Sequence, residues 1–312
     1  MTAGTADPAT GSAGGDIRVI LNAGSGKRSK RAQVEELTAL FDRYPGRFSL
    51  RVVHGGRMIA RETARALEAG VPTIVAAGGD GTICGIAARL AGTGARLGVL
   101  PLGTFNYFAR SLDLPEDLEA AVRVLAEGHE RAIPVGEVNG RVFLNNASLG
   151  AYAAILFRRE RVYRRWGRSR IAAYWSVLTT LVRFRSSLDV AITVDGATRA
   201  FRTPLVFVAK NAFQLELFEL EGADRVRSGD FAVFVAPDCS RLDLLGTAVR
   251  LAFRSLQPSR DFELICGRDV RVEMRRRRRL VARDGERERM TGPFRFAMRP
   301  EALRVIVPAG PG

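Results

Sequence analysis

The first hundred residues alternate short apolar runs with stretches whose apolar residues recur every three or four positions. Residues 17–21, 49–54, 73–77 and 96–100 read as strands, and about 30–43, 57–69, 83–91 and 115–127 carry helical spacing. Strand and helix in turn predict a parallel sheet covered on both faces. Pro115, ahead of Glu116 and Asp117, predicts a helix start. After Gly128 the pattern becomes mainly β. Residues 135–139 and 141–146, joined by Asn139-Gly140, predict a hairpin, as do 188–194 and 199–209 around Asp195-Gly196. Further strands are expected at 230–235, 263–266 and 270–281, with a last one at about 303–307. The expected organisation is a tail over 1–16, an α/β domain over 17–130, a β-rich domain over 131–295 with a basic helical insert at 153–185, and a C-terminal segment, 296–312, returning to the first domain.

The polar residues between these runs carry the chemistry. Gly78-Gly79-Asp80-Gly81-Thr82 lies between a strand and a helix, where glycines admit positive φ and close backbone approach, and where the helix N-terminus attracts an anion. A carboxylate there repels a bare phosphate, so Asp80 suits a divalent cation or a substrate hydroxyl. A glycine-rich turn is the plain alternative. Residues 97–100 feed a second such turn, Pro101-Leu102-Gly103-Thr104-Phe105-Asn106, and the first strand feeds a third, Asn22-Ala23-Gly24-Ser25-Gly26-Lys27. Neighbouring βα turns face each other at the carboxyl edge of an open sheet, where such sheets bind ligands. The third turn is not a Walker A loop, because Arg28 stands where Ser or Thr is required.

Composition narrows the classes. With 312 residues and 46% hydrophobic content, the chain can bury two ordinary cores. Cys84, Cys239 and Cys266 fit neither a disulfide framework nor zinc spacing, which points to a reducing cytoplasm. Two histidines, His54 and His129, argue against a histidine metal site or a Ser/His/Asp triad. The first sixteen residues lack the charged and apolar regions of a signal peptide, and no run of eighteen apolar residues occurs, so any membrane contact is expected to be peripheral.

A net charge of +15 favours anionic partners. Nine arginines between 158 and 185, Arg164 and Arg165 among them, face one acid, Glu160. Both tryptophans, Trp166 and Trp175, fall in the same window with Tyr163 and Tyr174. Arginine interleaved with Trp and Tyr suits an interfacial helix on anionic lipid, at about 1 kcal/mol per basic residue near the surface. A solvated helix face is the plain alternative. Nucleic acid is disfavoured, since no recognisable binding module accompanies the charge and the run Arg275 to Arg279 has a strand-like context.

The ordered set Asn22-Ala-Gly-Ser-Gly, GGDGT at 78–82, PLGTxN at 101–106 and Arg283-Asp284-Gly285-Glu286 resembles the diacylglycerol kinase catalytic-domain family, which includes lipid kinases and is distantly similar to NAD kinases. The resemblance implies an α/β N-terminal domain with a parallel sheet and a mainly β, sandwich-like lipid-binding domain. It implies ATP and Mg²⁺ as cofactors. Residues Gly78, Gly79, Asp80, Gly81 and Thr82 would hold the ATP phosphates, with Asn22, Gly24, Ser25, Gly26, Thr104, Asn106 and Glu286 beside the nucleotide. Asp284 would be the base or acceptor for a lipid hydroxyl, Asp80 being the other candidate base, and Asp80 with Glu286 would organise Mg²⁺. Asp284-Gly285 also reads as a type I′ turn. Three departures stand out. Tyr107 follows Asn106 where many members have Asp, and Asn211-Ala-Phe-Gln-Leu and Arg227-Ser-Gly-Asp230 replace a glycine-rich segment and a metal-binding Asp-Asp-Gly loop.

The expected activity is ATP-dependent phosphorylation of diacylglycerol or a related long-chain lipid alcohol by a cytoplasmic enzyme peripherally bound to the inner face of the membrane. Its partners would be a lipid substrate and an anionic membrane surface, without nucleic acid, and a homodimer is compatible with the sequence. The alternatives are an NAD kinase-like soluble enzyme, weakened because Asn145-Asn146 stands where that family has Asn-Glu, and a non-catalytic anionic-lipid binder, weakened by the presence of both Asp80 and Asp284.

Overall fold

The computed structural model describes residues 15–23, 30–150, 187–238, 262–276 and 278–309. The expected N-terminal tail, the loop Gly24-Ser25-Gly26, the basic insert with Arg164, Arg165, Trp166 and Trp175, and Cys239 all lie outside them. The chain forms two compact units. One runs through Ala109 and adds Asp113–Ala132 and the chain from Leu303; the other holds Arg110–Leu112 and Ile133–Ala302.

In the first unit the chain order is β1 (Ile17–Asn22), α1 (Lys30–Phe41), β2 (Phe48–Val53), α2 (Gly55–Glu68), β3 (Thr73–Gly78), α3 (Asp80–Leu90), β4 (Arg96–Pro101), α4 (Tyr107–Arg110) and α5 (Leu118–Glu127). The sheet order is β2-β1-β3-β4, all parallel, and the end of the last strand, β16 (Phe294–Val307), adds beside β4 through Arg304↔Arg96 and Val305↔Leu97. Both faces are covered, so β3 is buried at every position and reads as a continuous apolar run instead of an alternating one. Val19, Leu21, Val75 and Leu100 pack with Leu37 and Phe41 of α1 and Val122 and Leu125 of α5. The register Gly78↔Pro101 ends β3 and β4 at one level, which brings their turns together.

Helix α5 starts at Leu118, not at Pro115. Asp117 is its N-cap, and its carboxylate accepts the Ala120 N–H at 2.9 Å, satisfying a donor that proline at the helix start would not.

The second unit is a sandwich. One sheet has the order β12 (Glu263–Gly267), β11 (Phe231–Val235), β10 (Leu205–Ala209), β7 (Asn146–Gly150), β14 (Arg278–Arg283) and β15 (Glu286–Thr291), antiparallel throughout. The other runs from β16 through β13 (Val270–Met274) and β8 (Leu188–Val194) to β9 (Ala197–Thr203), with β5 (His129–Val138) and β6 (Arg141–Phe143) paired at its side. Their inner faces share one core of Phe143, Phe231, Phe294 and Phe296 with valines from both sheets. Two short helices, α6 (Ala212–Leu217) and α7 (Ala223–Arg227), cover part of the outer face of the six-stranded sheet through Leu215 and Val226.

Three expected strands prove to be pairs. Residues 270–281 divide at Arg275-Arg276 into β13 and β14, which belong to different sheets. Residues 199–209 divide at Pro204, which has no N–H to continue a ladder, and the Thr203 hydroxyl takes the Leu205 N–H at 3.1 Å instead. Residues 141–146 divide because the Leu144 and Asn145 N–H groups leave the ladder for the Asp284 carboxylate.

Gly128, between α5 and β5, is the tightest steric constraint at the closure of the first unit: a Cβ there would lie 2.5 Å from both the Val124 and Val307 carbonyl oxygens. Gly128→Ala is expected to lower stability by about 1–3 kcal/mol, because backbone cannot yield as a side chain can. Gly85, inside α3 with open space around it, is the control, and Gly85→Ala should gain about 1 kcal/mol. Urea unfolding of both variants checks the pair.

Candidate phosphoryl-transfer site

The phosphate-loop residues lie in the first unit. Gly79 is the N-cap of α3, so Asp80, Gly81 and Thr82 are its first turn and not a loop ahead of a helix starting at Ile83. The Thr82 N–H turns back to the Gly79 carbonyl at 2.8 Å, and the helix presents the positive end of its dipole at this turn, which is the anion-binding arrangement expected of a helix N-terminus. Glycine is required for a different reason than expected. None of Gly78, Gly79 and Gly81 has positive φ. A Cβ on Gly78 would lie 2.6 Å from the Thr82 hydroxyl, and one on Gly103 would lie 2.6 Å from the Gly79 Cα. The two turns touch backbone to backbone.

Polar side chains lock this contact. Asn22 donates to the Thr82 hydroxyl at 2.9 Å and accepts from the Gly55 N–H. Asn106, buried and in the left-handed region at φ 51°, accepts the Gly103 N–H and donates to the Pro101 and Gly103 carbonyls, so its amide is spent on shaping its own turn. Asp80 accepts the Phe108 N–H at 3.3 Å, joining α3 to α4. Thr104 is exposed beside it. Phe105, 58% exposed, stacks on Tyr107 with centroids 5.4 Å apart. A cavity of about 560 Å³ opens between α1, the 101–104 turn and the start of α5. Glu36, Glu116, Asp117 and Glu119 give it an acidic wall that repels phosphate.

Asp284 lies in the second unit. Asp284-Gly285 joins β14 and β15 with both residues at positive φ, so the type I′ turn is real. Its carboxylate also holds a neighbouring stretch of backbone. Oδ2 accepts the Leu144 N–H at 2.8 Å, and Oδ1 accepts those of Asn145 at 2.8 Å and Asn146 at 3.2 Å. Three such donors fix its position. Glu286 follows, exposed and without an ion pair among the described residues.

Sequence reading missed the polar cluster around this turn, because its members are spread over three segments. Asn211 donates to the Asn145 amide oxygen at 2.7 Å, and Asn146 donates to Gln214 at 2.9 Å, all four buried. Lys210 and Asn211 both donate their N–H groups to the Asn145 carbonyl. Burial pushes the Lys210 ammonium down to about 8, while the Asp284 charge acts in the opposite direction.

The family described as the diacylglycerol kinase catalytic domain matches residues 16–138, and the YegS C-terminal NAD kinase beta sandwich-like domain matches residues 148–307, half of the chain. The chain belongs to the diacylglycerol kinase catalytic-domain family. A diacylglycerol kinase of Staphylococcus saprophyticus is 32% identical over 142 residues, covering 45% of this chain and 47% of its own length. One of Staphylococcus carnosus is 29% identical over 181 residues, covering 57% and 58%. The chain therefore spans roughly half the length of these curated relatives. A solved structure titled as a diacylglycerol kinase from Bacillus anthracis superposes with a TM-score of 0.67 at 18% identity, over 96% of this chain and 98% of that one, and shares its fold.

The segment Arg227-Ser-Gly-Asp230, where the resemblance implied a metal-binding loop, ends on a carboxylate that is already paired. Asp230, the carboxylate at that place, is buried between the guanidinium groups of Arg225 at 2.6 Å and Arg268 at 3.2 Å, and Arg268 also donates to the Ser228 carbonyl.

Lys210 sets a pH dependence of stability. Its folded value, near 8, is below the ordinary 10.5, so between those values the unfolded chain binds more protons and stability rises with pH. Lys210→Met should thus be more stable than wild type at pH 7, by on the order of 2 kcal/mol, with the gap closing toward pH 10.5. Paired thermal melts at pH 7 and pH 10 read the difference.

Proposed function

We propose that this protein is an ATP-dependent lipid kinase that phosphorylates the hydroxyl of diacylglycerol or a related long-chain lipid alcohol. The observation that carries this reading is Asp80 in the first turn of a glycine-capped helix whose entry packs on the Gly103 backbone. A glycine-lined helix N-terminus binds phosphate, and a carboxylate within it has a purpose when a cation comes with that phosphate. The family membership supports the same reading.

Phosphoryl transfer requires positioning and charge neutralisation more than covalent chemistry. The α3 N-terminus would hold the terminal phosphates of ATP, with Asn22 keeping Thr82 in place. The acidic cavity beside the 101–104 turn cannot take the phosphates, so they belong at the α3 end. Mg²⁺ would be held chiefly by ATP and by the Asp80 carboxylate, the carboxylate on which the cation assignment rests, and would neutralise the charge developing on the phosphate. Among the described residues no group of three acidic, histidine or cysteine side chains forms a metal cage. Glu286 is retained as a cation-organising residue. Asp284, fixed by three N–H donors, would accept a hydrogen bond from the lipid hydroxyl and aim its oxygen.

The protein would meet its substrate as a cytoplasmic enzyme docked on an anionic leaflet. Among the described residues no helix is long and apolar enough to cross a membrane. Docking is assigned to the arginine and tryptophan segment containing Arg164, Arg165, Trp166 and Trp175.

Incubation with labelled ATP, Mg²⁺ and a panel of lipid alcohols in mixed micelles, with NAD as a soluble comparison, tests the activity. A labelled lipid is expected, and labelled NAD phosphate in its place would overturn the reading. Asp80→Asn keeps an acceptor for the Phe108 N–H but loses the charge. It should therefore remain folded by circular dichroism and lose about a hundredfold or more in turnover. Near wild-type turnover would remove Asp80 from the mechanism.

The membrane assignment has its own test. Activity on vesicles should rise with phosphatidylglycerol content and fall with salt, while activity on a short-chain soluble lipid should not, because screening shortens electrostatic reach to about 8 Å at physiological ionic strength. Trp166→Ala and Trp175→Ala combined with Arg164→Glu and Arg165→Glu should depress the vesicle rate far more than the soluble one. Equal losses would make the segment packed structure.

A further inference from the structure

Lys210 is one of only three lysines in a chain whose 48 basic residues are otherwise arginine; the other two, Lys27 and Lys30, flank the N-terminal glycine-rich turn. It follows β10 and immediately precedes Asn211, the N-cap of α6. Asn145 fixes its place relative to Asp284. The Asn145 carbonyl accepts the Lys210 N–H at 2.9 Å, and the N–H of the same residue goes to the Asp284 carboxylate at 2.8 Å. The lysine and the aspartate thus hang from opposite sides of one residue.

Among the described residues the Lys210 ammonium makes no ion pair within 4 Å, although it is partly buried and within the field of Asp284. The Asp284 oxygens are already occupied by three backbone donors. A desolvated cation without a partner costs stability, and the depressed ammonium value reports that cost. Such a cost is typical of a functional position. A compact ammonium with three donors also differs in use from the flat guanidinium chosen elsewhere in the chain: it binds phosphate as a point charge in a confined space.

We propose that Lys210 is a phosphate-binding residue, its ammonium taking a dianionic terminal phosphoryl group beside Asp284. This rests on the phosphoryl-transfer reading above and adds an anion contact in the second unit. Two molecules carry such a group, the γ-phosphate of ATP and the phosphomonoester product of an alcohol kinase.

The scarcity of lysine makes the test direct. Reductive ¹³C-methylation of the whole protein yields signals from three lysines and the N-terminal amine, assigned by Lys27→Arg, Lys30→Arg and Lys210→Arg taken singly. The labelled wild-type protein is titrated with inorganic phosphate, ATP, or phosphatidic acid in micelles, against chloride at matched ionic strength. The Lys210 signal should move saturably with phosphate and with at least one of the other two, and the responding arm names the source. In equilibrium binding, Lys210→Met should weaken the responding ligand by about tenfold or more, the effect of losing one charge-assisted hydrogen bond. A Lys210 signal that stays still in all three arms, or moves only in proportion to ionic strength, overturns the proposal. Because the titration uses the wild-type protein, its outcome does not depend on the folding of any variant. It is also separate from the activity: a shift without lipid phosphorylation refutes the kinase reading alone, and lipid phosphorylation without a shift refutes the role of Lys210 alone.

Discussion

The Asp284 carboxylate carries more of the second unit than its place in a two-residue turn suggests. By taking the N–H groups of Leu144, Asn145 and Asn146, it ends β6, sets where β7 begins, and ties the β14–β15 turn to that junction. The return bond from the Asp284 N–H to the Asn146 carbonyl closes the joint. Everything polar nearby is then hung from Asn145 and Asn146: Asn211, Gln214 and the Lys210 backbone. Buried polar groups are tolerated only when satisfied, so one carboxylate fixes a whole cluster.

The same device occurs twice more in this sandwich. Asn139, at the β5–β6 turn, donates to Thr291 and Pro293 carbonyls and accepts the Arg295 N–H. Asp195, at the β8–β9 turn, accepts the N–H groups of Arg268 and Asp269. In all three an Asx residue supplies positive φ before glycine, and its short side chain reaches an adjoining segment. What sets Asp284 apart is its surroundings: buried amides and a lysine without a counter-ion among the described residues, where Asn139 and Asp195 have ordinary turn neighbours. A structural joint and a place to orient a hydroxyl are compatible in one residue, since a fixed carboxylate is what orientation requires.

The first unit solves its problem with sterics. Its two glycine-bearing turns meet because neither Gly79 nor Gly103 has a side chain to separate them. The parallel sheet puts both at one edge through the register of β3 and β4. The positive end of a helix dipole thereby lies beside one carboxylate, an arrangement that suits an anion accompanied by a cation.

Alternation of apolar runs and helical spacing determined the α/β character of the first unit, since a strand buried on both faces must be apolar throughout. The dipeptides Asn139-Gly140, Asp195-Gly196 and Asp284-Gly285 likewise announced their hairpins, because few residues but these accept positive φ. The order of four polar motifs was enough to indicate the family. Tertiary structure alone decided the rest. It divided the strand at Leu144, whose N–H leaves the ladder for Asp284, and no local pattern records a partner more than a hundred residues away. It assigned Asn106 to its own turn and gave the phosphate-loop glycines a steric reason in place of a conformational one. It also brought Asn145, Lys210, Asn211 and Gln214 to Asp284. Those residues share no spacing or periodicity, and only the backbone bonds that converge on Asn145 and Asn146 make them neighbours.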